Sequence, residues 1–368
     1  MVDSLRAKLP PIYGPLFSKF FDRPEIVEPR ATCDTCAMCD HGQAAPVAME
    51  FFNPDTKCCT FHPGIANYLV GAVLADQTDE LAEGRRRLRA KIAARVGVTP
   101  QLIAAPRKYS LVYAAARESG VFGRSQAMRC PYYDAESGGK CTVWRYREAA
   151  CSTFFCKYAA GKIGWAFWDA LKSYLAHVEK MLAHYAAMSV DSNVTEPTVE
   201  RFHLTLEDVE DRAPKTADYA GYWGKWVGRE EEFYVACHER VRALGRSEFE
   251  KHVDATPDGR RLLESLERLY GGAVSPAIPE RLLANPKAKT VKAEADVVVT
   301  TYNPFDALAL DRDLYEALSL FDPAETVEEN LARLERDHGL ALTTDLLQYL
   351  YMHGVLVAPE GATKTGEK

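Results

Sequence analysis

The chain has 368 residues, ten cysteines, a formal net charge of -7, and 47% hydrophobic and 26% charged side chains. This balance excludes a fibrous or globally disordered chain, the length allows roughly two or three domains, and the negative charge argues against a general polyanion binder. The longest apolar run, Ile65 to Ala75, falls short of the ~20 residues of a membrane span, and MVDSLRAKLPPIYG carries no hydrophobic signal segment, so the expectation is a cytoplasmic protein with no membrane partner.

Residues 1–30 form an N-terminal arm punctuated by Pro10, Pro11, Pro15 and Pro24, expected to be extended or in short helical turns. Residues 31–160 form a cysteine-rich segment. ATCDTCAMCDHG spaces Cys33, Cys36 and Cys39 as C-x2-C-x2-C, and FFNPDTKCCTFHPG adds the adjacent pair Cys58 and Cys59. Between Pro63 and Gly97 the pattern is helical, with Leu81, Leu88, Ile92 and Val96 opposite a face of Arg85, Arg86, Arg87, Arg89, Lys91 and Arg95. Tyr109 to Ala116 reads as either strand or helix. CPYYDAESGGKCTVWRYREAACSTFFCK then supplies Cys130, Cys141, Cys151 and Cys156, with Gly138 and Gly139 marking a tight turn.

Residues 161–288 read as a helical domain. Trp168, Leu171, Leu175, Val178, Leu182 and Tyr185 make one long amphipathic seam, and further helices are expected over Arg229–Leu244 and Pro257–Tyr270. His177 and His184 border the seam, and Cys237 reads as a buried small hydrophobe. In residues 289–358 a strand at Val297–Tyr302 precedes three helices and a terminal strand, a winged-helix-like order; residues 359–368 read as a disordered tail. The fold class is therefore mainly α with an irregular cysteine-rich metal-binding domain and a small winged-helix-like α+β C-terminal domain.

In a reducing compartment clustered thiols point to metal or catalysis rather than to disulfides. Thiolates select zinc or iron–sulfur clusters. Structural zinc usually pairs two C-x2-C knuckles, and this chain lacks the second. Three cysteines as C-x2-C-x2-C instead suit three corners of a cubane, with Cys58 or Cys59 as the remote fourth ligand. Cys130, Cys141, Cys151 and Cys156 could hold a second cluster, or the two groups could interleave around one site. One or two [4Fe-4S] clusters are thus expected, with zinc as the alternative. His41 and His62 lie beside the first group as replacement ligands or neighbours of the site, and Trp144, Arg145 and Arg147 as residues that shield a cluster or donate to its sulfurs.

These cysteine motifs together resemble the YkgJ-type cysteine-cluster family of zinc- or iron-chelating proteins, over residues 31 to 158. The resemblance implies metal binding by Cys33, Cys36, Cys39, Cys58 or Cys59, Cys130, Cys141, Cys151 and Cys156. The chain departs from the family in having Arg147-Glu148 where Arg-Pro is common. The cluster motif is also similar to that of flagellin lysine N-methylases. SLFDPAETVEENLARL followed by DLLQYLYMHGVLV resembles PqqD-like winged-helix modules, which implies a protein or peptide substrate bound by the C-terminal domain.

A DNA-binding winged helix would make a redox-responsive regulator. Between Thr290 and Val357, however, Lys292, Arg312, Arg333 and Arg336 are outnumbered several-fold by acids, so no nucleic-acid partner is expected. Dinucleotide-binding, Walker, serine-hydrolase, HExxH and EF-hand signatures are missing. The expected function is a cytoplasmic iron–sulfur protein taking part in modification of a protein or peptide. A non-catalytic zinc-binding scaffold is the alternative, and the regulator ranks last.

Overall fold

The computed structural model describes residues 3–28, 36, 38–39, 51–116, 120–196 and 205–359. Cys33, His41 and all but the first residue of the expected tail lie outside them. The fold is mainly helical with small antiparallel sheets. The arm is a string of single 3-10 turns, Leu5–Lys8, Pro11–Tyr13 and Lys19–Asp22. Its closely spaced prolines permit no longer helix. Leu16, Phe17 and Phe21 are buried, and the Phe21 ring stacks on Tyr174 at 5.6 Å.

The region from 63 to 97 holds two helices, α1 (Asn67–Ala75) and α2 (Ala82–Ala94), lying in sequence between the paired strands β1 (Ile65–Ala66) and β2 (Leu102–Ile103). This corrects the single amphipathic run expected from the spacing. α1 is buried along nearly its whole length, and the backbone breaks at Asp76–Thr78, where the Arg85 guanidinium turns inward and donates to the carbonyls of both residues. α2 ends with Arg95 in the left-handed region at φ 60, so Val96 lies beyond it. The ambiguous stretch after Pro106 is a helix, α3 (Arg107–Ala116). A hairpin of β3 (Tyr133–Asp134) and β4 (Lys140–Cys141) follows, turned by Gly138 and Gly139 at φ +84 and +76, a region that favours glycine. Next comes the short α4 (Ala149–Thr153).

The long seam forms α5 (Gly161–Val190), with Trp168, Leu171, Leu175, Val178 and Leu182 buried. The shorter α6 (Leu206–Val209), α7 (Thr216–Trp223), α8 (Glu230–Arg242) and α9 (Arg246–Phe249) lead to α10 (Pro257–Val274). α5 packs between α8 and α10, and α8 also covers α1. One core draws on the arm (Leu16), on α1 and α2 (Val70, Leu88), on the second cysteine segment (Tyr132) and on the long helices (Leu175, Leu266).

The C-terminal module runs β5 (Leu283–Ala284), β6 (Lys289–Lys292), β7 (Asp296–Thr300), β8 (Leu308–Asp311), α11 (Arg312–Leu318), α12 (Val327–His338), α13 (Thr344–Met352) and β9 (Leu356–Val357). β6, β7 and β8 form an antiparallel meander with Val291 opposite Val298 and Val297 opposite Leu310, while β5 pairs with β9. A capping box between Thr326 and Glu329 starts α12, and Gly339 at φ 66 ends it. Val297, Val299, Leu310, Leu334, Leu347, Leu350 and Leu356 build a second core of the module's own. Beyond the strand, three helices and terminal strand expected, the structure adds β5, β6 and β8, whose few residues carry too little alternation to be read locally.

Candidate metal centre

The 51–60 loop carries Cys58 and Cys59 side by side. Thr56 and Lys57 donate their N–H groups to Asn53 O at 3.0 and 2.8 Å, and Cys59 N–H donates to Thr56 O at 2.9 Å. Lys57 takes φ 50 to make this turn. The loop is stitched to residue 123 by Asn53 N–H to Gly123 O (2.7 Å), Thr56 Oγ1 to Gly123 O (3.0 Å) and Gly123 N–H to Thr60 Oγ1 (2.7 Å). Glycine is required at 123, because its φ is +75 and an added Cβ would lie 2.2 Å from the Phe52 ring.

Four cysteines meet on one side of this loop. Cys39 N–H donates to Cys36 O at 3.0 Å and Phe52 N–H to Met38 O at 2.6 Å, which lays the Cys36–Cys39 turn along the loop. Cys36, Met38, Cys39, Phe52 and Cys156 form a small buried cluster, with Cys58, Phe122 and Phe305 packed against it. The Phe52 ring lies 5.6 Å from Phe122 and 5.1 Å from Phe305, so aromatic faces enclose the thiols.

Of the other four, Cys59, Cys130 and Cys141 lie in or against the main core. Cys130 N–H donates to Cys59 O at 2.8 Å, and Cys141 is paired across the hairpin with Tyr133, whose N–H donates to Cys130 O at 3.1 Å. Cys130 belongs to the main core, with Cys59 and Cys141 packed on it. Cys151 sits in α4, where the Glu148 carboxylate accepts from Ala150 N (2.8 Å) and Cys151 N (2.9 Å). Glu148, the departure from the family pattern, is therefore the N-cap of the turn that carries Cys151. Arg87 holds the hairpin from outside, donating to Pro131 O and Tyr133 O, both at 2.8 Å. A cleft of about 540 Å³ lined by Arg87, Arg129, Tyr133 and Ser137 reaches Cys130 and provides an approach to this group.

The electrostatics link the thiols within each set, while the Cys58 charge bears on both. Burial, then the charge and hydrogen bond of Cys36 and the charge of Cys58, push Cys39 up to about 12. Burial raises Cys156, helped by the charges of Cys58, Cys36 and Cys39. In the second group burial pushes Cys130 up to about 12, with Cys141 and Cys58 adding to the shift and backbone hydrogen bonds opposing it. Burial and the Glu148 charge raise Cys151, followed by Cys130 and Cys141. The groups touch at the adjacent pair: Cys59 donates to Cys58, which lowers Cys58 and raises Cys59. Crowded thiols that suppress one another's ionisation have the donor chemistry that a divalent or cluster charge would reverse.

Two further atoms fit such a group. The Tyr132 hydroxyl and His62 Nε2 are buried and have no hydrogen-bond partner among the described residues, and their rings lie 6.0 Å apart. The charges of Cys130 and Cys141 bear on the Tyr132 hydroxyl, placing it beside the second group. Cys39, Cys58, Cys59, Cys130, Cys151, Cys156 and Cys237 are free thiols. Among the described residues no three His, Cys, Asp or Glu side chains already form a group able to hold a metal ion.

Burial moves His62 down to about 4, aided by the Lys91 charge, and its Nδ1 lies 3.2 Å from Pro63 O. Trp144 is half exposed, with the Arg147 guanidinium 3.6 Å over its ring. Arg145 donates to Asp76 at 3.3 Å, anchoring the 144–147 turn to the end of α1. Nothing in the sequence assigns a role at the site to Arg87, Tyr132 or Glu148. Arg87 stood within a basic helix face, and nothing local sets it apart from Arg86 or Arg89. No family model matches the chain, and no curated protein or solved structure does.

Proposed function

We propose that the chain is an iron–sulfur protein with two four-thiolate centres, one on Cys36, Cys39, Cys58 and Cys156 and one on Cys59, Cys130, Cys141 and Cys151. The observation that carries the reading is the division of eight thiols, four buried and four half-buried, into two sets that meet at Cys58 and Cys59. Iron–sulfur is favoured over zinc by the lack of a second C-x2-C knuckle and by the orphaned Tyr132 hydroxyl, which a cluster sulfide would satisfy as acceptor. Such a group supplies one-electron transfer or a Lewis-acidic iron; the chain's part is to bury it, hold its ligands and leave the Cys130 cleft as access. The C-terminal module, acidic and with its own core, is on this reading a winged-helix-like element that recognises a protein or peptide to be modified, in the cytoplasm. The YkgJ-type and PqqD-like resemblances support this assignment.

Protein prepared without oxygen is expected to absorb broadly in the visible and to hold about eight irons and as many sulfides per chain. Cys141→Ser and Cys156→Ser should each remove about half of the iron, and Cys237→Ser, buried in α8, none of it. A colourless protein with stoichiometric zinc would overturn the iron reading in favour of a zinc scaffold.

A further inference from the structure

The loop joining β7 to β8 reaches out of the C-terminal module onto the first thiol group. Asn303 is buried; its Nδ2 donates to Cys156 O at 2.8 Å while its Oδ1 accepts from Phe305 N at 3.0 Å, which fixes the turn. The turn drives the Phe305 ring to 5.1 Å from Phe52 and 5.9 Å from Phe122, against the cluster of Cys36, Cys39 and Cys156. Asp306, also buried, accepts from Tyr158 N–H at 3.2 Å and from the Tyr302 hydroxyl. The loop thus grips the chain on both sides of residue 157. At its other end the Thr301 hydroxyl donates to His353 O just after α13, tying the loop into its own module.

The platform under Phe305 is built from separate pieces of chain, the Cys36–Cys39 turn, the 51–60 loop and Cys156. Apolar contacts and a few backbone bonds join them. Metal ligation would lock these pieces to one another, and Asn303 bonds directly to a ligand residue. We propose that this loop is the seal of the first centre, and that filling the centre and docking the loop stabilise each other, so that loss of the metal releases the C-terminal module from the site. The proposal rests on the two-centre reading above. Because coupling between two sites is reciprocal, the same factor must show in both directions.

The test uses the full chain purified without oxygen, followed by hydrogen exchange and metal content before and after treatment with a chelator. Removal of the metal should cut protection of residues 301–306 on the order of tenfold while β7 and β8 keep theirs. Cys36→Ser should reproduce the exposed loop, and Cys141→Ser, in the other set, should leave it protected. In the reverse direction Asn303→Ala and Phe305→Ala retain every thiol and should hasten metal release from the first centre on the order of tenfold. A chain that purifies without metal would overturn the two-centre reading and this proposal with it. Metal lost with 301–306 still protected, or release at the wild-type rate from Phe305→Ala, would overturn the seal alone.

Discussion

Glu28 shows how a single buried carboxyl ties the arm to the long helix. It accepts from Trp168 Nε1 at 2.5 Å and from Ala159 N–H, and burial, with the Asp306 charge adding, pushes it up to about 7 from the ordinary 4.5. The folded protein therefore holds this proton more tightly than the unfolded chain does. Its contribution to stability is complete below about pH 4.5 and is lost as the pH rises to about 7. Glu28→Gln should flatten that slope. Relative to wild type it should gain up to about 3 kcal/mol between about pH 4.5 and 8, less roughly 1 kcal/mol because the amide must face one of two donors. Denaturant unfolding at both ends of the range checks this; a constant difference between variant and wild type would mean that Glu28 does not titrate there. The neighbouring Trp and Glu types were visible in the sequence, but the bond between residues 28 and 168 spans too many positions for any local pattern to carry it.

α2 and the second cysteine segment are pressed together more closely than side chains allow. An added Cβ on Gly84 would stand 2.2 Å from the carbonyl oxygen of Thr142, one residue beyond Cys141, and 3.3 Å from Val143, while Arg87 bonds the hairpin from the same helix. Gly84→Ala gains about 1 kcal/mol of helix propensity, yet the clash with backbone should outweigh it by about 1–3 kcal/mol. We expect a lowered melting temperature and, on the two-centre proposal, metal loss from the Cys59, Cys130, Cys141 and Cys151 set with the other set retained. A raised melting temperature would show that the contact relaxes at little cost. At this scale α5 was legible because its seam repeats for many turns. The break between α1 and α2 was not, since no glycine or proline stands at Asp76–Thr78 and a side chain from the next helix, Arg85, satisfies the freed carbonyls.

Two cores organise the molecule, one joining the arm, the cysteine segments and the long helices, the other confined to the C-terminal module. Leu350→Ala, at a fully buried position of the second core, should cost about 2–5 kcal/mol of module stability. Hydrogen exchange should then quicken across residues 282–357 and leave α5 and α8 protected; quickening in α5 would show that the cores open together. Among the described residues no helix is long and apolar enough to cross a membrane. The inventory of nine clustered cysteines, the helical character and the acidic C-terminal segment are properties of composition and short-range periodicity, and these the sequence determined by itself. Which thiol faces which was decided only in three dimensions. Cys58 and Cys59 are consecutive, yet one joins the cluster of Cys36, Cys39 and Cys156 and the other is bonded through its carbonyl to Cys130. Spacing along the chain cannot carry that division, because it arises where a tight turn places neighbouring side chains against two different packed surfaces.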